Sequence, residues 1–379
     1  MKAAVLHQVR QPLRIENVPM PEIGPDDVLV HTQACGICGT DLHIREGWGY
    51  TPKLPFIMGH EPAGVVVEAG SNVSGFKAGD PVVPNIFFSC GNCFYCRTNR
   101  ETQCVNLDGI LGVLKHPGGY GEYFRIPARQ LFHLPDHIPF TEGSIIADAV
   151  VTSVHGVKRG HIRQGESVMV VSVGGCAAAA IQICKAYGAK VICAVRSSEK
   201  QKRAIELGAD EALNSREVDI PAAVKDLTNG MGVECVIDAV GDEETLKEGI
   251  NSLCNGGRLV ILGYTQERYP LDPRQVAVHE LEVIGTRSGG RQDTAESIQF
   301  VADKRWKPIV TDVFPIEKVE EACRRTLPCG FQINRGLFMR TRPTQTDYAK
   351  WGVIRDKKAL GMTDPKSKSQ ICSIYPRER

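Results

Sequence analysis

From residue 167 onward, short apolar segments alternate with segments that have a helical pattern. The apolar segments are hydrophobic along nearly their whole length, which is typical of strands in a parallel sheet covered by helices on both faces. We therefore predict an α/β fold with a doubly wound parallel sheet in this half of the chain. The predicted strands are 167–172, 190–195, 235–240, 258–263 and 282–286.

The first 150 residues are instead rich in Gly, Pro and short β-like runs, and they predict an irregular, mostly β domain. A chain of 379 residues is long enough for two domains. The predicted organisation is a mostly β domain at 1–149, a parallel-sheet domain at 150–288, a return to the first domain at 289–340 and an atypical tail at 341–379.

Composition excludes several classes of protein. The formal net charge of +1 gives no reason to expect nucleic acid or a membrane surface as partner, and no apolar run is long enough to span a membrane. The N-terminus turns polar too soon for a signal peptide, so the fourteen cysteines are expected as reduced thiols in a cytoplasm. The tail carries nine Lys and Arg against four acidic residues, which predicts disorder, with a basic contact surface as the alternative.

A glycine-rich turn joins the first predicted strand of the sheet to a helix, in the arrangement that binds dinucleotides. Relative to the pattern G-x-G-x-x-G, Ser172 replaces the first glycine and Ala177 the third. Gly174, which lets the backbone approach a pyrophosphate, is retained. We predict that Gly174, Gly175 and Cys176 bind the cofactor.

The end of the second strand bears on the choice of cofactor. A site for NAD has an acidic residue there, which accepts hydrogen bonds from the ribose 2′-hydroxyl, whereas this chain has Val195. Arg196, Ser197 and Lys200 could surround a 2′-phosphate, which favours NADP over NAD. Lys200 does not discriminate, and the alternative is a permissive strand end with Arg196 facing solvent.

Four cysteines have the spacing of a metal site. The run contains Cys90, Cys93, Cys96 and Cys104, and its two consecutive two-residue gaps place three sulfurs around a short turn. This pattern predicts one tetrahedral zinc ion bound by four thiolates. Because every coordination position is filled, this zinc would stabilise the loop at 90–104, and a reactive metal would have to bind elsewhere. The alternative is four unrelated thiols in a surface loop.

Two further segments, 35–43 and 59–64, carry residues of the types that bind metals. Together with the four cysteines and the glycine-rich turn, they resemble the zinc-containing medium-chain alcohol dehydrogenases, over roughly residues 1–340. The resemblance implies a GroES-like domain, a Rossmann domain and a second, catalytic zinc in the cleft between them.

The resemblance also implies roles for particular residues. Cys38 and His60 match the first two ligands of the catalytic zinc, and Glu61 matches a glutamate that approaches the metal during ligand exchange. The third ligand is usually a cysteine, four residues before a threonine that contacts the nicotinamide. Here the threonine is Thr152 and the ligand position is Asp148, a carboxylate that is also a suitable zinc ligand.

Proton transfer requires groups near the reacting oxygen. We expect Thr40 to hydrogen-bond that oxygen, His43 to pass the proton outward, and Asp41 to orient the imidazole of His60. Cys35 is interpreted as a buried thiol, because pairing it with Cys38 would remove a ligand.

The predicted function is zinc-dependent interconversion of an alcohol with an aldehyde or ketone, using NADP(H) or, less favoured, NAD(H). One alternative is a reductase of activated double bonds, as in zinc-free relatives with this fold, and the other is a nucleotide-sensing protein that is not an enzyme. The expected partner is a small alcohol or carbonyl substrate, and the chain is expected to form a homodimer or homotetramer.

Overall fold

The structure is a computed structural model that describes residues 1–303, 310–326 and 335–337. The predicted tail at 341–379 lies outside the described residues. None of the helices in the described ranges is both long enough and apolar enough to cross a membrane.

The N-terminal part of the chain is built mainly from short strands. Its strands are β1 (Lys2–Leu6), β2 (Arg14–Asn17), β3 (Asp27–Ile37), β4 (Phe56–Ile57), β5 (Glu61–Ala69), β6 (Pro81–Pro84), β7 (Ile110–Leu111), β8 (Lys115–His116), β9 (Tyr123–Pro127) and β10 (Leu131–His133). Its helices are α1 (Gly39–Glu46), α2 (Phe94–Arg97) and α3 (Phe140–Ser144), with 3-10 turns at Glu101–Gln103, Ala128–Gln130 and Ile145–Ala147.

Strand β3 is the centre of this part. It pairs antiparallel with both β5 and β9, and nine of its eleven residues are buried. Most of its buried side chains are apolar, including Val28, Leu29, Val30 and Ala34, and the buried hydroxyl of Thr32 donates a hydrogen bond to the Gly121 carbonyl at 2.8 Å. The long β3–β5 pair therefore gives a rigid support to the residues that follow β3 and begin β5.

The C-terminal part alternates strands and helices. Its strands are β11 (Ser167–Val171), β12 (Lys190–Val195), β13 (Glu211–Asn214), β14 (Val233–Asp238), β15 (Leu253–Ile261), β16 (Glu282–Gly285), β17 (Val313–Phe314) and β18 (Arg335–Leu337). Its helices are α4 (Ala149–Arg159), α5 (Gly175–Ala186), α6 (Ser198–Glu206), α7 (Ile220–Leu227), α8 (Glu243–Asn251), α9 (Pro273–Val278), α10 (Arg291–Ala302) and α11 (Val319–Thr326), with a 3-10 turn at Ile316–Lys318.

Six of these strands form one parallel sheet in the order β13-β12-β11-β14-β15-β16. The chain moves outward from β11 to β13 and then returns to the other side of β11 at β14. This reversal confirms the predicted doubly wound α/β fold. All five predicted strands are present, and the short edge strand β13 is an addition to them. A ligand of such a sheet binds beyond the carboxyl end of β11, where the strand order reverses.

The predicted domain boundaries fall at two transitions in this element order. Residue 149 is the first residue of α4, and residue 288 lies between β16 and α10. Strand β18 pairs with β3 and β17, so residues after 310 return to the N-terminal sheet. The boundaries themselves stay a prediction.

Candidate active site

Three separate parts of the chain bring a cluster of possible metal ligands together. Cys38 follows β3 and caps α1, His60 and Glu61 lie at the start of β5, and Asp148 immediately precedes α4. One donor atom from each of these residues lies within 4.8 Å of a donor atom from every other. The three predicted ligands and the predicted glutamate are therefore adjacent in the structure.

The donor atoms in this cluster face one another closely. The Cys38 Sγ lies 3.5 Å from the Asp148 Oδ2, and the His60 Nε2 lies 3.3 Å from the same oxygen. Distances of this size are typical between ligands that share one ion, because each ligand then lies about 2.0–2.3 Å from it. The arrangement fits a single zinc ion.

His60 is held by a second set of contacts. The Asp41 Oδ1 lies 3.1 Å from the His60 Nδ1, and the Asp41 Oδ2 accepts hydrogen bonds from the backbone N–H of Cys38 (3.0 Å) and the hydroxyl of Tyr120 (3.1 Å). Asp41 and Tyr120 are fully buried. A carboxylate on Nδ1 fixes the tautomer that leaves Nε2 available to a metal. The position agrees with the role predicted for Asp41, and Tyr120 adds a contact that sequence reasoning missed.

Asp148 is held in a similar way. The hydroxyl of Thr152 donates a 2.9 Å hydrogen bond to the Asp148 Oδ1, one helical turn further along α4. Both side chains are almost completely buried. The Oδ2 of Asp148 is then left facing Cys38 and His60. Thr152 therefore orients the carboxylate, in addition to lining the cleft where the nicotinamide contact is predicted.

Glu61 is buried without a well-formed hydrogen bond to its carboxylate in the part of the chain that the structure describes. Burial and the nearby Asp148 carboxylate raise the pKa of Glu61 well above its ordinary value. Its approach to the cluster depends on Gly36, its partner in the β3–β5 register, because a Cβ at Gly36 would lie only 1.8 Å from a Glu61 carboxylate oxygen. An orphaned buried carboxylate beside three ligand-type side chains again fits a bound cation.

The electrostatics of the cluster also match a cation site. Burial, together with the charge of Asp148, raises the pKa of the Cys38 thiol to about 11. Burial acts to lower the pKa of His60, but Asp41 and Asp148 outweigh it and raise that pKa well above the ordinary value. The cluster thus retains protons that a divalent cation would displace, since metal ligands bind in their deprotonated form.

The four cysteines of the 90–104 loop form a second cluster. The Sγ atoms of Cys93 and Cys96 lie 3.5 Å apart. The Cys90–Cys96 and Cys93–Cys104 sulfur pairs are each separated by 3.9 Å. Four sulfurs around one zinc at about 2.3 Å would be separated by about 3.8 Å. The cluster therefore fits a tetrahedral zinc, and its geometry leaves no ligand position for a substrate.

Protonation in this second cluster is uneven. Backbone N–H groups of Asn92 and Cys93 lower the pKa of the Cys90 thiol to about 6. Burial raises the pKa of Cys96 to about 12. Backbone N–H groups also lower the pKa of the Cys93 thiol, so the turn favours the thiolate at Cys90 and Cys93, and all four sulfurs can be thiolates together when a cation balances their charge.

One cleft of about 380 Å³ is lined by the four residues of the Cys38 cluster. The same cleft is lined by the predicted glycine-rich turn, including Gly174, Gly175 and Cys176, at the carboxyl end of β11. The structure therefore places the cluster of possible metal ligands and the predicted dinucleotide-binding turn against one space.

The glycine-rich turn has a left-handed residue at its first position, although the sequence has Ser172 there in place of glycine. Ser172, which replaces the first glycine, has φ = 83°, a left-handed conformation that favours glycine. Its hydroxyl accepts a 3.3 Å hydrogen bond from the backbone N–H of Gly174. Helix α5 begins at Gly175, and the free N–H groups of its first turn form the kind of position at which an anion such as a pyrophosphate binds.

Around the second strand end, the predicted cofactor residues have other partners. Val195 is buried, and the Ser197 hydroxyl caps α6 by accepting from the backbone N–H of Lys200 at 3.4 Å. Arg196 forms ion pairs with Asp242 (2.8 Å) and Glu244 (3.0 Å). These two acidic residues were not anticipated from the sequence.

His43 lines the cleft together with Thr40. Its ring stacks on Trp48 with a centroid distance of 3.7 Å and lies 5.5 Å from the ring of Tyr264. Burial lowers the pKa of His43 to about 4, with Asp41 opposing part of the effect. The imidazole is therefore neutral at neutral pH.

Comparison with known proteins agrees with this geometry. Residues 24–136 match the alcohol dehydrogenase GroES-like domain, and residues 175–303 match the zinc-binding dehydrogenase family. An alcohol dehydrogenase of Geobacillus stearothermophilus is 35% identical over 86% of this chain and 96% of its own length. The chain belongs to the zinc-containing alcohol dehydrogenases. The predicted family, its GroES-like and Rossmann fold and the predicted enzyme class are thereby confirmed, and this alcohol dehydrogenase uses zinc and a nicotinamide cofactor.

Two other relatives of this alcohol dehydrogenase differ in their cofactor. A protein of Sulfolobus acidocaldarius named NAD-dependent alcohol dehydrogenase is 33% identical over 85% of this chain and 95% of its own length. A zinc-binding dehydrogenase structure from Sinorhizobium meliloti, solved with NADP, has a TM-score of 0.81 and 29% identity, covering 89% of this chain and 98% of its own. Family membership alone does not select the cofactor. Residues 309–371 also match the family of methyl-coenzyme M reductase operon protein D, mostly outside the described residues.

Proposed function

We propose that this alcohol dehydrogenase transfers hydride between a medium-sized, apolar or aromatic alcohol and NADP(H), at a zinc held by Cys38, His60 and Asp148. The observation that supports the proposal most is that the ligand cluster and the glycine-rich turn line one cleft. A dehydrogenase needs this proximity, because hydride passes directly from the substrate carbon to the nicotinamide.

The protein's own residues prepare the metal position. Asp41 fixes the tautomer of His60, and Thr152 turns the Asp148 carboxylate toward the cluster. Three protein ligands leave a place for a substrate oxygen, and zinc supplies a Lewis acid that polarises that oxygen. Glu61 has a carboxylate oxygen within 4.8 Å of the donor atoms of Cys38, His60 and Asp148 and would be the candidate for a transient ligand.

Proton transfer is assigned to Thr40 and His43. The two residues line the same cleft, with Thr40 one residue after the start of α1 and His43 one turn further along it. The neutral imidazole of His43 would accept a proton that leaves the substrate hydroxyl by way of Thr40. Stacking on Trp48 keeps the ring in one orientation.

The loop at 90–104 is proposed to hold a second zinc through Cys90, Cys93, Cys96 and Cys104. With every position filled by sulfur, that ion contributes folding free energy and takes no part in the reaction. The enzyme thus carries two zinc ions per chain, with separate roles.

NADP(H) is proposed over NAD(H) for two reasons. The buried Val195 offers no acceptor for the ribose 2′-hydroxyl, and Arg196 supplies a guanidinium, whose planar donors match phosphate oxygens. The ion pairs of Arg196 limit the size of this preference.

The proposed substrate class is based on the walls of the cleft. They are predominantly apolar and include Trp48, Tyr50, Phe87, Ile110 and Tyr264. Aromatic walls of this kind bury flat or branched apolar groups in preference to polyols.

A substrate panel tests the proposed function. Purified enzyme is assayed for cofactor reduction with benzyl alcohol, medium-chain alcohols and sorbitol, each with NADP and with NAD, and for NADPH oxidation with an enone. We expect the highest kcat/KM with an aromatic or medium-chain alcohol and NADP. Cys38→Ser is the control for a reaction that requires the metal. Enone reduction that persists in Cys38→Ser, with no alcohol oxidation by the wild type, would contradict the proposal.

A further inference from the structure

The guanidinium of Arg196 lies at the end of β12, where a dinucleotide fold contacts the adenosine ribose. Its Nη2 donates to the Asp242 Oδ2 at 2.8 Å and to the Glu244 Oε2 at 3.0 Å. Asp242 and Glu244 follow β14, which lies on the other side of β11 from β12. The ion pairs therefore extend across the carboxyl end of the central strand.

Asp242 is held firmly in place for this contact. Its Oδ1 accepts a 2.8 Å hydrogen bond from the backbone N–H of Thr245 and so caps α8. The turn before it is fixed by the buried Asp238, which accepts from the N–H groups of Val240 and Gly241 and from the Thr245 hydroxyl at 2.8–3.0 Å. The Asp242 carboxylate cannot move far from Arg196 without losing its cap.

The two acidic partners differ in exposure. The side chain of Asp242 is 13% exposed, whereas that of Glu244 is 63% exposed and that of Arg196 39%. A contact with the more buried carboxylate is less screened by solvent. Asp242 is thus expected to be the stronger partner.

The surroundings of Arg196 are negative beyond these two contacts. Glu248 lies one turn after Glu244 on α8, and burial together with the charge of Glu244 raises the pKa of Glu248 to about 7. One cation is therefore surrounded by more than one carboxylate. A 2′-phosphate brought to Arg196 would meet a guanidinium that is already neutralised.

We infer that Asp242, assisted by Glu244, is a specificity-determining residue that opposes the 2′-phosphate of NADP by competing with it for Arg196. This inference rests on the proposed function, since it assumes that the adenosine end of a nicotinamide cofactor lies at this strand end. The 2′-phosphate of NADP must displace one carboxylate from Arg196 or bind beside both carboxylates. The ribose diol of NAD is uncharged and does not compete with them for Arg196. The wild-type preference for NADP is consequently small, and the sequence around Val195 and Arg196 alone overstates it.

Nucleotide fragments test the inference without turnover. Binding of 2′,5′-ADP and of 5′-AMP to the full-length enzyme is measured by titration calorimetry at low salt. Asp242→Asn is the main variant, because asparagine caps helices as well as aspartate does and the shape is unchanged. We expect it to tighten 2′,5′-ADP by about tenfold, the size of one charge-assisted hydrogen bond, and to leave 5′-AMP within about twofold.

Two further variants define the mechanism. Glu243→Gln removes one negative charge from the same helical turn, at an exposed residue whose backbone N–H donates to the Glu267 Oε2 at 3.0 Å. It should change the ratio of the two affinities by less than about twofold, since exposed charges are screened. In an Arg196→Ala background, Asp242→Asn should lose its effect, because the competition acts through Arg196.

Three results would overturn the inference: an unchanged affinity ratio in Asp242→Asn, an equal change in Glu243→Gln, or an effect that persists without Arg196. Thermal melting of each variant checks its folding. Glu244→Gln, at the more exposed position, gives a second variant with a smaller expected gain in 2′,5′-ADP affinity. If the wild type binds neither fragment, the proposed nucleotide site fails; if it binds both and the ratio does not respond, only this inference fails.

Discussion

Replacing Thr152 with valine tests how the proposed aspartate ligand, Asp148, is held. Valine keeps the β-branched shape of threonine and removes only the hydroxyl that donates to the Asp148 Oδ1 at 2.9 Å. Both side chains are buried, so water does not readily replace the lost donor. A hydrogen bond to a charged group contributes about 1.5–3 kcal/mol, and loss of such a partner typically weakens metal affinity or activity by about 10–100-fold.

Zinc affinity is the measured quantity for Thr152→Val, from competition with a chromophoric chelator. We expect weaker binding by at least about tenfold at one of the two proposed zinc sites. The matched control is Ser153→Ala. Ser153 is also buried on α4, but its hydroxyl donates to the backbone oxygens of Ala149 and Cys176 and not to a ligand. It should lower stability while leaving zinc affinity unchanged.

The reasoning would be refuted by a Thr152→Val enzyme with wild-type zinc affinity and wild-type kcat. A variant with normal zinc affinity and a raised KM for the cofactor would assign Thr152 to the nicotinamide contact alone. Equal loss of zinc affinity in Ser153→Ala would show that α4 as a whole, rather than one hydroxyl, determines the position of Asp148.

Three other predictions concern separate parts of the enzyme. Cys93→Ser should remove one zinc by elemental analysis and lower the melting temperature, and a variant with full zinc content would contradict the second site. His43→Ala should slow alcohol oxidation mainly below about pH 7–8, where bulk base is scarce, by roughly 10²-fold; an unchanged pH profile of kcat would exclude the relay. Burial acts to raise the pKa of Asp293, but contacts with His155 (2.9 Å) and Lys158 (2.7 Å) lower it to about 2. Because the folded pKa is depressed, this stabilisation is present above about pH 4 and is lost as the pH falls toward 2. Asp293→Asn should therefore lose about 2 kcal/mol in urea unfolding at pH 7 and progressively less toward pH 3, and a pH-independent difference would contradict the ion-pair account.

The parallel sheet could be predicted because its central strands β11, β12 and β14 are buried on both faces. The predicted strand 190–195 matches β12 residue for residue, since its apolar run has no polar interruption. Strand β13 escaped prediction because it is a short edge strand whose residues Glu211–Asn214 are mostly half-exposed and have no apolar run. A run of apolar residues in the sequence indicates a buried strand. Strand β13 is too little buried to have such a run.

The candidate metal ligands could be predicted from residue spacing and family resemblance rather than from hydrophobic pattern. Cys38, His60 and Asp148 were named from spacing and family resemblance, and the structure places them together. The Tyr120 contact with Asp41 has no signal in the sequence, because the residues are 79 positions apart and meet only through the folded sheet.

The partners of Arg196 illustrate the same limit at the cofactor end. Asp242 lies 46 residues further along the chain. The contact depends on the strand order β12-β11-β14, which brings the turn after β14 across the end of β11. A local pattern shows that Arg196 is present, but only the topology shows which groups compete for it.

The most direct test of the central claim is zinc content and alcohol oxidation measured together in Asp148→Ala. If Asp148 is the third ligand of the catalytic zinc, the wild type contains two zinc ions per chain and the variant retains only the one bound by the four cysteines. Loss of alcohol oxidation should accompany the loss of that ion, with a melting temperature that shows a folded protein. Asp148→Cys should retain both ions, because cysteine supplies another anionic ligand. Asp148→Ala with two zinc ions and a normal kcat would contradict the account.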